Sequence, residues 1–114
     1  MAHDKPVIPR SKMSAEERKF RSQLAQLIDQ RGMLRGTLLL RRRVCGKPTC
    51  KCARGAKHES LYLIIREGGR RRHVFIPRDW EGVVRQWAAD YRRAKGLMDE
   101  ICRLHCEKVR RRQG

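Results

Sequence analysis

Four side chains able to hold a soft metal ion, Cys45, Cys50, Cys52 and His58, fall within fourteen residues. The spacing is C-x4-C-x-C-x5-H. Thiolate and imidazole are the usual donors to zinc, which takes four of them in a tetrahedron. The Gly46-Lys47-Pro48-Thr49 stretch can turn so that the sulfurs of Cys45 and Cys50 face one another. Three thiolates and one zinc ion leave a single negative charge, and Lys47, Lys51, Arg54 and Lys57 stand ready to offset it. The same cations favour the ligating thiolate over the thiol. One structural zinc on these four residues is expected. Two other readings stay open: a reduced, metal-free cluster whose cysteines act as small hydrophobes, and a redox or nucleophilic cysteine. The C-x2-C knuckle is absent, so this is not a standard finger.

The cluster sits where positive charge is densest. The chain has 114 residues and a net charge of +17. Residues 35–78 alone carry +11, and each flanking third carries +3. Self-repulsion of that size opposes compaction, and a polyanion relieves it. Arg41-Arg42-Arg43 and Arg70-Arg71-Arg72 are expected at comparable ends of neighbouring strands. With Lys47, Lys51, Arg54 and Lys57 on the joining loop they would form one phosphate track. Tyr62 and Phe75 offer a stacking platform of the kind single-strand binders use. The favoured expectation is that the first helix covers these two rings as core. Duplex DNA gripped through phosphates then comes ahead of single strands, with RNA also possible.

These residues need a scaffold to place them. Residues 1–13 show no periodicity and are read as a mobile arm. Ser14 and Glu17 have capping-box spacing, in which each side chain satisfies an amide of the other. Phe20, Leu24, Leu27 and Ile28 then make one apolar stripe, and Gly32 suits the left-handed residue that ends a helix. Residues 36–44 read as a first strand between glycines. Residues 61–76 read as a hairpin turning at Gly68-Gly69. That turn predicts Leu61 opposite Ile76, Leu63 opposite Val74 and Ile65 opposite Arg72, on the core side. Tyr62 opposite Phe75, Ile64 opposite His73 and Arg66 opposite Arg71 fall on the other face. Pro77 stops the strand, and Asp79 can cap a long helix. Its seam of Trp80, Val84, Trp87, Tyr91, Ala94, Met98 and Ile101 follows heptad spacing. A small sheet cannot cover so long a seam, so part of it should meet the first helix or another copy of the chain. Residues 108–114 form a basic tail. The expected fold is α+β, a single domain over 14–107, with a three-stranded antiparallel sheet and the Cys/His loop between strands 1 and 2.

The stretch RGTLLLRRRVCGKPTCKCARGAKH, followed by an aromatic-bearing strand, a Gly-Gly hairpin, a strand ending Ile-Pro and a long helix, resembles an uncharacterised group of small prokaryotic proteins. Their hallmark is a CGKPxCxCA segment followed by His-Gly-Pro-Tyr. The likeness runs over about residues 31–104 and is most specific at 45–53. His58 is here followed by Glu59-Ser60-Leu61-Tyr62, without the Gly-Pro. The resemblance implies the fold and the cluster, and no activity.

The expected function is that of a zinc-stabilised, DNA- or RNA-binding accessory protein. The alternative is an adaptor that docks into a larger complex, or pairs with itself, through Trp80, Val84, Trp87, Tyr91, Met98 and Ile101. An enzyme is not expected: only two acidic residues lie within 35–78, and Glu59 is the one base near a catalytic metal. The opening MAHDKPVIPR holds no apolar stretch, and clustered cysteines suit a reducing, cytoplasmic setting. No run is long enough to span a bilayer, and the basic residues are not interleaved with an apolar helix face as membrane binding prefers. Cys102, His105 and Cys106 share a helix face and form a weaker metal candidate, with core packing favoured. His73 reads as a paired sheet residue.

Overall fold

A computed structural model, which describes residues 6–43 and 58–111, gives the chain the expected α+β fold. The elements run α1 (Ala15–Gln30), β1 (Thr37–Arg43), β2 (His58–Glu67), β3 (Arg70–Ile76) and α2 (Glu81–Arg110). A 3-10 turn, Arg10–Lys12, precedes α1 inside the segment read as an arm, and another, Arg78–Trp80, leads into α2. Helix α2 continues through Arg110, into the residues read as tail. No described helix is long and apolar enough to cross a membrane. The chain gathers into two compact units, Met1–Gly32 with Asp90–Gly114, and Met33–Ala89.

The first unit is a helix pair. Ser14 caps α1 by accepting from the Glu17 amide at 3.1 Å. The reciprocal half of the capping box is not made, because the Glu17 carboxylate turns to Arg21 and His105 instead. Helix α1 ends on Arg31, in extended backbone, and not on a left-handed Gly32. Arg31 Nε lies 3.0 Å from Asp90 Oδ2, and Arg103 reaches Glu16 at 2.8 Å. The end of α1 thus meets Asp90 and its beginning meets Arg103, further along α2, so α1 and the later turns of α2 run antiparallel. Leu27, Ala94 and Leu97 are buried here, whereas Ile28, expected in the stripe, is 61 % exposed. Long helices are stabilised by burial of such a stripe more than by propensity.

The second unit is the sheet, ordered β1-β2-β3 and antiparallel throughout. Gly68 and Gly69 take φ of 59° and 78°, as a two-residue hairpin turn of the I′ type requires. The predicted hairpin register holds at every pair, from Glu67 opposite Arg70 to Leu61 opposite Ile76. Leu61, Leu63 and Ile76 form the core with Val84 of α2, and Leu34, Leu38 and Ile65 pack against them. Burying each such side chain stabilises the fold by about 1.5–3 kcal/mol. Before β1, Gly36 has φ of 143°, and a Cβ there would stand 2.7 Å from the Ile64 carbonyl oxygen. Only glycine lets the chain enter the sheet so closely. Leu34 then donates its amide to the Trp87 carbonyl at 3.2 Å.

Candidate nucleic-acid interface

Strand alternation sorts the sheet residues onto two faces. Leu61, Leu63, Ile65 and Ile76 define the core side. The opposite face carries Arg41, Leu39 and Thr37 from β1, Ser60, Tyr62, Ile64 and Arg66 from β2, and Phe75, His73 and Arg71 from β3. This face is open. Phe75 is 55 % exposed and Tyr62 is half-buried. The two rings meet edge to face, with centroids 5.7 Å apart at 68°. The Arg41 guanidinium lies 5.0 Å from the Tyr62 ring centroid, in cation–π range. It continues to His73, whose Nδ1 is 2.9 Å from Arg41 Nη2. A guanidinium can only donate, so Nδ1 accepts and the ring proton sits on Nε2. His73 is therefore a paired sheet residue, as its place in the strand predicts.

The arginine runs are not at comparable ends. Arg41, Arg42 and Arg43 stand opposite Ser60, Glu59 and His58, while Arg72, Arg71 and Arg70 stand opposite Ile65, Arg66 and Glu67. Strands β1 and β3 are both antiparallel to β2 and so run the same way. A triplet at the end of one and at the start of the other must fall at opposite ends of the sheet. Alternation also divides each triplet. Arg42 is turned to the core side and pairs with Glu59 at 2.9 Å, and Arg72 pairs with Glu67 at 3.5 Å. Exposed pairs of this kind contribute about 0–1 kcal/mol. Glu59, the one nearby base that a catalytic metal would use, is thus engaged by Arg42.

Both glutamates of the sheet therefore lie on the core side, and the open face has arginines without a sheet carboxylate. Arg66 and Arg71 form no ion pair among the described residues. With Arg35, Gly36, Thr37, Ile64 and Ile65 they line an open depression of about 580 Å³. Sequence reasoning selected Arg71 but not Arg35 or Arg66. The pairing of Arg66 with Arg71 was legible in the hairpin register. Arg35 gave no signal, because its position depends on how closely Gly36 lets the backbone approach β2.

Cys45, Cys50 and Cys52 lie outside the described residues, as do Lys47, Lys51, Arg54 and Lys57. What is described is the frame that holds them. Arg43 is paired with His58, so residues 44–57 are bounded by two backbone positions side by side in the sheet. That register brings the proposed fourth ligand to the base of the segment bearing the other three. Among the described residues no group of three or more His, Cys, Asp or Glu side chains is placed to hold a metal. Cys102 and Cys106 are exposed on α2, contrary to their expected packing in the core, and His105 Nε2 is 3.1 Å from Glu17 Oε1.

The expected docking seam is partly spent within the chain. Val84, Ala88, Ala94 and Leu97 are buried. Trp87 and Trp80 pack 6.0 Å apart, and Tyr91 and Ile101 are half-buried. Trp80 and Met98 remain 48 % and 44 % exposed. No curated protein and no solved structure matches the chain. A protein-family comparison matches residues 13–86, a span that takes in α1, the whole sheet, the cysteine segment and the start of α2. The chain belongs to DUF6788, a family described as a domain of unknown function.

Proposed function

We propose that this protein binds nucleic acid through the open face of its sheet and the adjoining basic segment, as a small accessory protein without catalytic activity of its own. The observation that carries this reading is the sorting of charge in the sheet. Arg41, Arg66 and Arg71 share a face with Tyr62 and Phe75, and both sheet glutamates lie on the other. Phosphates supply most of the affinity of such surfaces, and arginine contacts both phosphate and base edges. Arg41 and Arg71 are the members of the two triplets best placed for this. Arg42 and Arg72 are partly neutralised by Glu59 and Glu67, and Arg70 faces Glu67 across the strands. Arg43, Lys47, Lys51, Arg54 and Lys57 extend the basic surface along the sequence from the end of β1 to the start of β2.

Within this reading, Cys45, Cys50, Cys52 and His58 hold one structural zinc. The donor set is that of structural zinc sites, and the pairing of Arg43 with His58 closes the segment at its base. A metal there would fix the lysines relative to the sheet. The preference for duplex DNA rested on Tyr62 and Phe75 being covered, and with Phe75 exposed that reason falls away.

The test is a salt titration of binding to mixed-sequence DNA and RNA. A basic surface making several phosphate contacts gives log K falling linearly with log salt, with a slope of about −0.7 to −0.9 per contact. Absence of binding at low salt, or a flat plot, rejects the proposal.

A further inference from the structure

We infer that the open face of the sheet is a platform for a single-stranded polynucleotide, with bases stacking on Phe75 and Tyr62 and phosphates held by Arg41, Arg66, Arg71 and Arg35. This rests on the nucleic-acid reading above and adds the strand state of the ligand.

Three observations carry it. Phe75 presents more than half of its surface to water near the end of the edge strand β3. An aromatic in that position gains from a flat apolar partner, and an unpaired base is one. In a duplex each base is already stacked between its neighbours and shows only an edge in a groove. Second, the Arg41 guanidinium already lies over the Tyr62 ring, 5.0 Å from its centroid, so cation and ring occupy one patch of this face. Bases stack on arginine planes as well as on rings. Third, Arg35, Arg66 and Arg71 line one depression together with Ile64, whose side chain shares the open face with Arg66 and Arg71. The depression's volume of about 580 Å³ has room for one nucleotide beside three cationic side chains. The absence of a sheet carboxylate on this face removes the repulsion that would keep a phosphodiester chain away.

The charge alone would serve a duplex equally well. The exposed Phe75 ring serves only bases that are free to leave a stack, which decides between the two. Stacking is tolerant of sequence, since every base has a face. Sequence preference is therefore weak, and discrimination lies between single and double strands.

The test compares fluorescent oligomers of about 20 nucleotides, oligo(dT), oligo(U) and a mixed-sequence DNA duplex, at matched ionic strength. The full chain should bind the single strands at least tenfold more tightly than the duplex. Phe75→Ala should lower single-strand affinity about tenfold, in the range stacking contributes, and leave duplex affinity within about twofold. Phe75→Trp should restore it. Because Phe75 is exposed, its removal leaves the core intact, and an unchanged melting curve verifies this. The double variant Arg66→Gln, Arg71→Gln should reduce the single-strand salt slope by about 1.4, two contacts at the single-strand value. A duplex bound as well as single strands, or Phe75→Ala without effect on them, overturns the platform and leaves the nucleic-acid reading standing. Binding to none of the three probes at low salt overturns both.

Discussion

Glu17 has no exposed surface, yet it carries a charge at one end of a helix pair. Burial opposes its ionisation, and the Arg21 hydrogen bond and the neighbouring His105 overcome that, holding its pKa below the ordinary 4.5. Arg21 Nε donates to Oε2 at 2.8 Å, while His105 Nε2 and Lys108 Nζ lie 3.1 and 3.8 Å from Oε1. The His105 approach is close but not aligned for a hydrogen bond, so Oε1 is stabilised by charge more than by a directed donor. A carboxylate with a lowered folded pKa stabilises the fold fully above its unfolded value. That contribution is lost as pH falls through the folded value. Glu17→Gln should therefore cost about 1–3 kcal/mol at neutral pH, the range for a buried polar group losing its partners. The partner cations are partly solvated, which keeps the cost from the upper limit for buried pairs. The difference from the parent chain should shrink as the pH is lowered past 4.5. Urea melts across that range check it, and a constant difference would show that Glu17 acts only through its shape. Ser14 and Glu17 were legible as a cap from their spacing. The second role of Glu17 was not, because Arg21 lies on its own helix but His105 lies at the far end of the sequence.

At the scale of elements, regular spacing was a sound guide wherever a local turn fixes the outcome. Gly68-Gly69 determines the hairpin register, and every pair follows from it. The seam along α2 likewise announced a long helix, which in the structure runs on to Arg110, into the residues read as tail. Misreadings arose where an element's surroundings decide. Ile28 has helical spacing but no partner surface, and Gly32 never adopts the left-handed backbone because Arg31 ends the helix in extended form. The arginine triplets were placed together because the direction of β1 relative to β3 is a property of the whole sheet. The connection between β1 and β2 is the element on which the zinc proposal depends. Protein purified without added metal should carry about one equivalent of zinc, as a four-donor structural site requires. Removal by a chelator should lower the melting temperature, because binding free energy at such a site is folding free energy. Metal content near zero in a fully folded preparation would dispose of the site.

For the whole molecule, charge is the dominant constraint. With +17 spread over 114 residues, repulsion outweighs the local ion pairs. Arg103 bonds Glu100 and Glu107 on its own helix and Glu16 on α1, which raises its pKa still further above an already high value. Salt weakens both kinds of interaction, but repulsion is the larger. Raising sodium chloride from about 10 to 150 mM shortens the screening length from about 30 to 8 Å. It should raise the melting temperature by about 2–6 °C, the effect of under 1 kcal/mol on a domain of this size. A fall in melting temperature would mean that the ion pairs matter more than the surplus. The size of the charge was legible from composition. Its sorting between two faces of the sheet was not, since that needs the register of all three strands at once.

The two ends of the open face differ. Rings and Arg41 occupy one, while Arg35, Arg66 and Arg71 surround a ringless hollow at the other. A surface without a symmetry axis distinguishes head from tail in any polymer laid along it. On this reading, a bound strand has a single preferred 5′-to-3′ orientation.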